Sequence, residues 1–171
     1  MFHKNIKLVL AFLTLAFAVY QFVLGSIGNG IALVFLTGMF VFLYFKNEMI
    51  LLGFLQMRKQ NFQGTKKWLD KIKNPEAALT IKQQGYYNYL FGLITSQENM
   101  TKAEKYFKKA ISFGLSMKQD LAMCKLNLAG IAMSKRRKRE AQKLLKEAKQ
   151  LDKHNMMTEQ IQTMKQQMKK I

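Results

Sequence analysis

Residues 8–45 read LVLAFLTLAFAVYQFVLGSIGNGIALVFLTGMFVFLYF, a run of 38 residues without a charged side chain. Leu8 to Leu24 forms one apolar stretch and Ile27 to Phe45 a second, each near the shortest helix that crosses a bilayer core at a rise of about 1.5 Å per residue. Between the two lies Gly25-Ser26-Ile27-Gly28-Asn29-Gly30, whose glycines and Asn permit the positive backbone angles of a tight reversal. The expectation is a two-helix membrane hairpin over residues 1–45, with spans at about 8–24 and 27–45.

Orientation follows from the cations outside the run, because Lys and Arg close to a span are retained on the cytoplasmic side. Lys4 and Lys7 precede the first span, none lie in the reversal, and Lys46, Arg58, Lys59, Lys66 and Lys67 follow the second. Both termini are therefore expected in the cytoplasm. Tyr20 and Gln21 at one end, and Tyr44 and Lys46 at the other, suit interfacial depth, where an apolar stem stays in lipid and a polar tip reaches water. Two other readings fit part of the run. Ala16-Phe17-Ala18 resembles a signal-peptide cleavage site behind a basic start, but the apolar run continues past it to Leu24. A buried hairpin inside a soluble domain is the second, and a domain this small has little interior for it.

Outward from the run the composition inverts. The whole chain has 171 residues, 28 Lys plus Arg against 10 Asp plus Glu, and a net charge of +18. All ten acidic residues and 26 of the basic ones lie from residue 46 onward. A single Cys, Cys124, excludes an intrachain disulfide framework and a cysteine-rich zinc site, and one Pro with ten Gly excludes collagen-like classes.

The basic part reads as helical throughout, with no alternating β-branched runs. Thr101-Lys102-Ala103-Glu104 has capping-box spacing and predicts a helix from there to about Phe113, with Gly114 as its C-terminal cap. Asn74-Pro75-Glu76 predicts another helix start. Self-comparison then finds one shift, 38 residues, that aligns six columns. These are Leu52, Leu90 and Leu128; Leu55, Leu93 and Ile131; Thr65, Ala103 and Ala141; Trp68, Tyr106 and Leu144; Leu69, Phe107 and Leu145; Ile72, Ala110 and Ala148. Three helix–turn–helix units over residues 46–152 follow, at 46–73, 77–113 and 117–152.

The pattern Ala103-x-x-x-Phe107-x-x-Ala110 after Leu90, and Ala141-x-x-x-Leu145-x-x-Ala148 after Leu128-Ala129, resembles the tetratricopeptide repeat (TPR) family. Leu52-Gly53 followed by Thr65, Leu69 and Ile72 matches more loosely. The period is longer than the family's usual 34 residues, and the first-helix Trp is replaced by Met49, Tyr87 and Lys125. Together with the apolar run, the resemblance gives the expectation of an all-α chain: a two-helix transmembrane hairpin, a short TPR-like array, and a C-terminal capping helix. For that last element, residues 153–171, the apolar stripe Met157, Ile161, Met164, Met168 and Ile171 recurs at helical spacing opposite Gln160, Lys165, Gln166, Lys169 and Lys170. A partner-binding or lipid-surface helix is the other reading of the stripe.

The resemblance also implies a concave groove that holds a peptide or helix of a partner protein. Its residues here would be Asn88, Tyr89, Gly92, Thr95 and Ser96 from the second unit, with Met123, Leu126, Asn127, Gly130 and Met133 from the third. Asn127 stands in a column where some members hold a peptide main chain, whereas the basic residues that grip a terminal carboxylate are not matched. Five consecutive cations, Lys135-Arg136-Arg137-Lys138-Arg139, sit at the expected turn of the third unit. They suit a solvated loop, membrane lipid, an acidic protein, or RNA or a ribosome, for which Tyr86, Tyr87 and Tyr89 would supply stacking faces. No enzyme constellation assembles: His3 and His154 lie apart, no metal spacing occurs, and Cys124 has no His partner, so no cofactor is expected. The functional expectation is a non-catalytic membrane-anchored adaptor; a further reading is an accessory subunit of a larger membrane complex recognised through the hairpin itself, with Ala32 and Gly38 as close-packing positions. The alternative is a basic polyanion binder at the membrane.

Overall fold

The computed structural model describes residues 4–45 and 47–169. His3, Lys46, Lys170 and Ile171, named above, lie outside them. The described residues form ten helices and no strand, in two compact units, Met1–Gln83 and Gln84–Ile171.

In the first unit, α1 (Lys4–Val23) and α2 (Ile27–Phe45) are the two apolar helices, joined by a reversal at Gly25 with φ of +76°. They run antiparallel along a narrow seam. On α1 the seam passes through Lys7, Ala11, Thr14, Ala18 and Gln21; on α2 it passes through Ser26, Gly30, Leu33, Thr37, Phe40 and Tyr44. Both sets step by four and three residues, the spacing of a coiled-coil stripe. Gly30 is required at its position, because a Cβ there would lie 2.7 Å from the Phe22 ring. Thr14 and Thr37 share a hydrogen bond of 2.9 Å across the seam. At the open end Lys7 pairs with Glu48 and donates to the Leu43 carbonyl oxygen at 3.3 Å. Ala32 and Gly38, expected as close-packing positions toward a larger complex, are exposed on the outside of the hairpin.

Next come α3 (Glu48–Arg58), α4 (Phe62–Asp70) and the four-residue α5 (Pro75–Ala78), with the start of α6 (Ile81–Thr95). Asn74 and Pro75 do begin a helix, but it ends at once: Leu79 turns extended and its side chain is buried. The long helix begins after Thr80, whose backbone N–H donates to Gln83 Oε1 at 3.0 Å. That is half of a capping box, in the sequence Thr80-Ile81-Lys82-Gln83. Gln83 Nε2 in turn donates to the Tyr44 carbonyl oxygen at 3.1 Å, at the C-terminal end of α2.

In the second unit α6 pairs with α7 (Met100–Phe113), and α8 (Lys118–Ser134) with α9 (Lys138–Leu151), before α10 (Thr158–Lys169). Gly85 faces Ala110 and Gly114, and Gly92 faces Phe107, so α6 and α7 are antiparallel and close. Tyr86 Oη donates to Asp120 Oδ2 at 2.8 Å and accepts from Met117 N–H at 3.3 Å, which brings the first turns of α6 and α8 side by side.

The 38-residue period is present in the backbone itself. The second helices start at Phe62, Met100 and Lys138, behind the cap positions Asn61, Asn99 and Arg137. Asn61 Oδ1 accepts from Gly64 N–H at 2.8 Å and Asn99 Oδ1 from Lys102 N–H at 2.9 Å. This corrects the expected start at Thr101: that residue is already helical, and the Asn99 side chain two positions earlier caps the Lys102 N–H. Thr65, Ala103 and Ala141, then Leu69, Phe107 and Leu145, then Ile72, Ala110 and Ala148, are all buried. Met157, just before α10, and Ile161 and Met168 of α10 join Leu126, Ala129, Met133, Ala141, Leu145 and Ala148 in one apolar cluster. Asp152, itself buried, accepts from Met156 and Met157 N–H and fixes the approach to α10.

Candidate functional site

Helices α8 and α10 do not close fully on each other, and the gap is an open cleft of about 590 Å³. Met123, Leu126 and Gly130 of α8 and Met164 of α10 supply its apolar lining. Asn127, Glu159, Gln160, Thr163 and Gln167 supply its polar lining. Gly130 keeps the cleft open, since a Cβ there would already touch the Met164 methyl at 3.4 Å. Asn127 Nδ2 donates to the Met123 carbonyl oxygen at 2.8 Å. Thus four of the ten residues singled out for a groove, Met123, Leu126, Asn127 and Gly130, come together along one wall. Met133 is buried in the adjoining apolar cluster instead. The opposite wall belongs to α10, and only the apolar half of that helix was readable as purposeful in the sequence.

The residues taken from α6 have other surroundings. Tyr89 is buried with its ring tilted against Phe107 at 6.2 Å, and Gly92 lies against the same ring. Asn88 is buried and donates to the Gln84 carbonyl oxygen at 2.8 Å. Thr95 and Ser96 are half-buried and bond to the Phe91 and Leu93 carbonyl oxygens of their own helix at 2.6 and 2.7 Å. Tyr87 lies tilted against Phe91, and Phe91 stacks on Tyr106, so this aromatic group is internally packed.

The basic run divides by function. Arg136 takes the left-handed turn position with φ of +56°. Arg137 meets Glu104 with two nitrogens, Nη1 to Oε1 at 3.0 Å and Nη2 to Oε2 at 2.9 Å, and also reaches Glu140 at 2.9 Å. Lys135 Nζ lies 2.8 Å from Glu104 Oε2 and Lys108 Nζ 2.7 Å from Oε1. Burial works to raise the Glu104 pKa, but the Arg137, Lys108 and Lys135 cations outweigh it and hold the carboxyl down to about 2. Two of the five cations therefore tie α7 to the α8–α9 turn, while Arg136, Lys138 and Arg139 are exposed. Glu104 was visible in the sequence only as a capping-box acid; besides Lys108 one turn on, its partners Lys135 and Arg137 lie more than thirty residues away.

Cys124 is fully buried, its Sγ–H directed at the Phe107 carbonyl oxygen at 3.5 Å, and burial pushes its pKa up to about 12. Such a thiol is a small core side chain rather than a thiolate nucleophile. Among the described residues no three His, Cys, Asp or Glu side chains gather as a metal site. His154 lines a smaller pocket of about 280 Å³ with Met117, Lys118, Gln119, Leu151 and Lys153.

The outer faces of α1 and α2 are the remaining surface of note. Phe12, Val23 and Phe35 are exposed by 72%, 79% and 76%, and the helices hold two 18-residue windows, Ile6–Val23 and Ile27–Tyr44, each only 11% buried. Both are long and apolar enough to cross a membrane. No family model, curated protein or solved structure matches this chain.

Proposed function

We propose that the chain is a non-catalytic adaptor, held in a membrane by the α1–α2 hairpin, whose TPR-like helix pairs bind a partner protein on the cytoplasmic side. The observation that carries the reading is the inverted hairpin. Small and polar side chains, Ala11, Thr14, Ala18, Gly30 and Thr37, fill its seam, while Phe, Leu and Val cover its outside. In water that arrangement exposes its large apolar groups; in lipid it is the favoured one, since helices there associate through close packing and hydrogen bonds. The cation flanks of the two spans support cytoplasmic termini. The α8–α10 cleft supports the adaptor role, because it offers an apolar floor and uncharged hydrogen-bonding groups without a nucleophile or metal cluster among its lining residues. Confinement to a surface raises the effective concentration of both partners, so modest affinity in the cleft suffices.

Alkaline washing of native membranes, protease treatment of sealed vesicles carrying a C-terminal label, and crosslinking from Thr163 followed by mass spectrometry test the parts in turn. Retention in the washed membranes, cytoplasmic cleavage and a crosslinked membrane-associated protein are expected. A chain released by the wash, or a label protected on the far side, overturns the reading.

A second reading rests on Arg136, Lys138 and Arg139, which are exposed in a chain of net charge +18. A polyanion such as RNA or an anionic lipid surface would bind there, with an affinity that falls steeply as salt rises. Binding that persists in high salt and survives replacement of those three residues rejects it.

A further inference from the structure

The cleft carries an electrostatic signature opposite to that of the chain around it. Twenty-eight cations decorate the protein, yet none of the nine residues that line the cleft is Lys, Arg or His. Its one ionisable group is Glu159, exposed in the first turn of α10 and without an ion pair among the described residues. The other polar groups are three carboxamides and a hydroxyl, Asn127, Gln160, Gln167 and Thr163. A carboxamide both donates and accepts, so it pairs with the N–H and C=O groups of a peptide main chain and needs no charge on the ligand.

Resting on the adaptor reading above, we propose that the cleft binds a short extended, uncharged and apolar segment of the partner, and that Glu159 sets selectivity against acidic segments. The walls fix the length. From Met123 to Gly130 on α8, and from Glu159 to Gln167 on α10, the lining spans about two helical turns, on the order of 11 Å. An extended chain advances about 3.3 Å per residue, so three to four residues fit. Alternate side chains of that segment enter the floor between Leu126 and Met164, and Gly130 lets the main chain approach α8. An acidic side chain there would find no cation and would face Glu159, although the field of the whole protein draws it toward the surface. A general polycation and this cleft thus predict opposite preferences.

The test uses the full chain in neutral detergent and two labelled probes, an acetylated and amidated Leu-Gln-Leu-Gln-Leu peptide and its Leu-Glu-Leu-Glu-Leu counterpart, followed by fluorescence anisotropy. The expected result is saturable binding of the Gln peptide, with the Glu peptide weaker by about fivefold, the ordinary size of an unpaired charge in a partly wet site. Glu159→Gln should narrow that ratio while leaving the Gln peptide's affinity in place. Gly130→Leu fills the cleft from a helical position that favours Leu over Gly, so the variant folds, as circular dichroism verifies, and binding of both peptides is lost. Preference for the Glu peptide, no saturable binding, or binding unchanged in Gly130→Leu overturns the proposal. The adaptor reading fails separately: crosslinks from native membranes that map to other faces of the array remove the cleft proposal alone, whereas a chain released by alkaline wash removes the membrane adaptor.

Discussion

The α1–α2 hairpin and the α6–α9 helix pairs solve the same geometric problem with opposite materials. Both bring antiparallel helices close by placing small residues in the seam: Ala11, Ala18 and Gly30 in the hairpin, Gly85, Gly92, Ala103 and Ala110 in the array. In the array, Phe107 and Leu145 fill the space that the small residues open, and Lys covers the outside. In the hairpin most large side chains face outward, and the buried seam positions, Ala11, Ala18, Gly30 and Thr37, are small or polar, with Leu33 and Phe40 half-buried between them. Burial of apolar area drives the first arrangement, and contributes little to the second in a bilayer, where lipid is as apolar as Leu. Seam geometry alone therefore does not distinguish water from lipid; the location of the large residues is what supports the membrane reading proposed above.

The strongest way to break this comparison is to truncate one Phe on each side. Phe107→Ala removes a fully buried ring that touches Tyr89 and Gly92, and should cost about 3–5 kcal/mol in chemical denaturation followed by circular dichroism. Phe35→Ala removes a ring that is mostly exposed, and should leave the same denaturation curve unchanged in detergent while weakening retention in washed membranes. Equal losses of stability would mean that the hairpin is an ordinary buried core.

Glu104 sharpens the contrast from the polar side. Its carboxyl is held down to about 2 in the folded chain from an ordinary value of 4.5, so its ion pairs stabilise fully above about pH 4.5 and are lost as pH falls toward 2. Partly exposed partners reduce the effect to on the order of 2 kcal/mol. Acid titration of the wild type and Glu104→Gln should show two stability curves that converge over that window. Curves that run parallel through it would remove the Glu104 cluster as the clip between α7 and the α8–α9 turn.

Gly92 and Gly130 occupy one column of the repeat and should respond with opposite signs. A Cβ on Gly92 would lie 2.7 Å from the buried Phe107 ring, so Gly92→Ala should destabilise by about 1–2 kcal/mol even after the helix-propensity gain. At Gly130 the nearest atom is the flexible end of Met164 at 3.4 Å, and Gly130→Ala should stabilise by about 0.5–1 kcal/mol. Thermal melts of the two variants decide it, and equal signs would show that the two positions share one packing environment.

These differences mark what the sequence could express. The period was legible because every copy needs the same small–large–small face, as in Ala103, Phe107 and Ala110 and in Ala141, Leu145 and Ala148. The turn into the second helices was not, because Asn99 and Thr101 both look like caps and only backbone geometry chooses Asn99. The start of α6 had its own signal in Thr80 and Gln83, hidden by the more conspicuous Pro75. Four of the ten residues expected to line a groove do line the α8–α10 cleft, since α8 repeats a recognisable column; Tyr89 and Gly92 do not, because the same residues serve a groove or a helix–helix contact equally well. Lys135 and Arg137 read as solvated for a different reason: charge patterning along a chain carries no information about an acid more than thirty residues away. In the hairpin, Ala32 and Gly38 attracted notice as small residues, while the seam used Ala11, Ala18, Gly30 and Thr37, the set that recurs at alternating four- and three-residue steps with its neighbours.

The smallest expected effect separates the two regions most finely. The Thr14 and Thr37 hydroxyls lie 2.9 Å apart, each also 2.9 Å from a carbonyl oxygen of its own helix, Leu10 for Thr14 and Leu33 for Thr37; with one proton apiece, one hydroxyl donates across the seam while the other donates to its own helix. Thr65 in α4 makes a similar pair of bonds, to Asn61 at 2.9 Å and across to Gly53 of α3 at 3.3 Å. Replacing Thr by Val removes the hydroxyl and keeps the shape. At Thr65 it leaves the Gly53 carbonyl without this partner in a buried seam, and should cost about 1 kcal/mol. In the hairpin the unfolded helices already satisfy their hydroxyls through the same-helix carbonyls, so only the cross-seam bond is at stake. The coupling between Thr14→Val and Thr37→Val should then be about 0.6 kcal/mol, measured as a double-mutant cycle on hairpin unfolding in detergent. A coupling near zero would leave close packing of Ala11, Ala18 and Gly30 as the force that holds the seam, and a coupling of several kcal/mol would make the threonine pair its dominant contact.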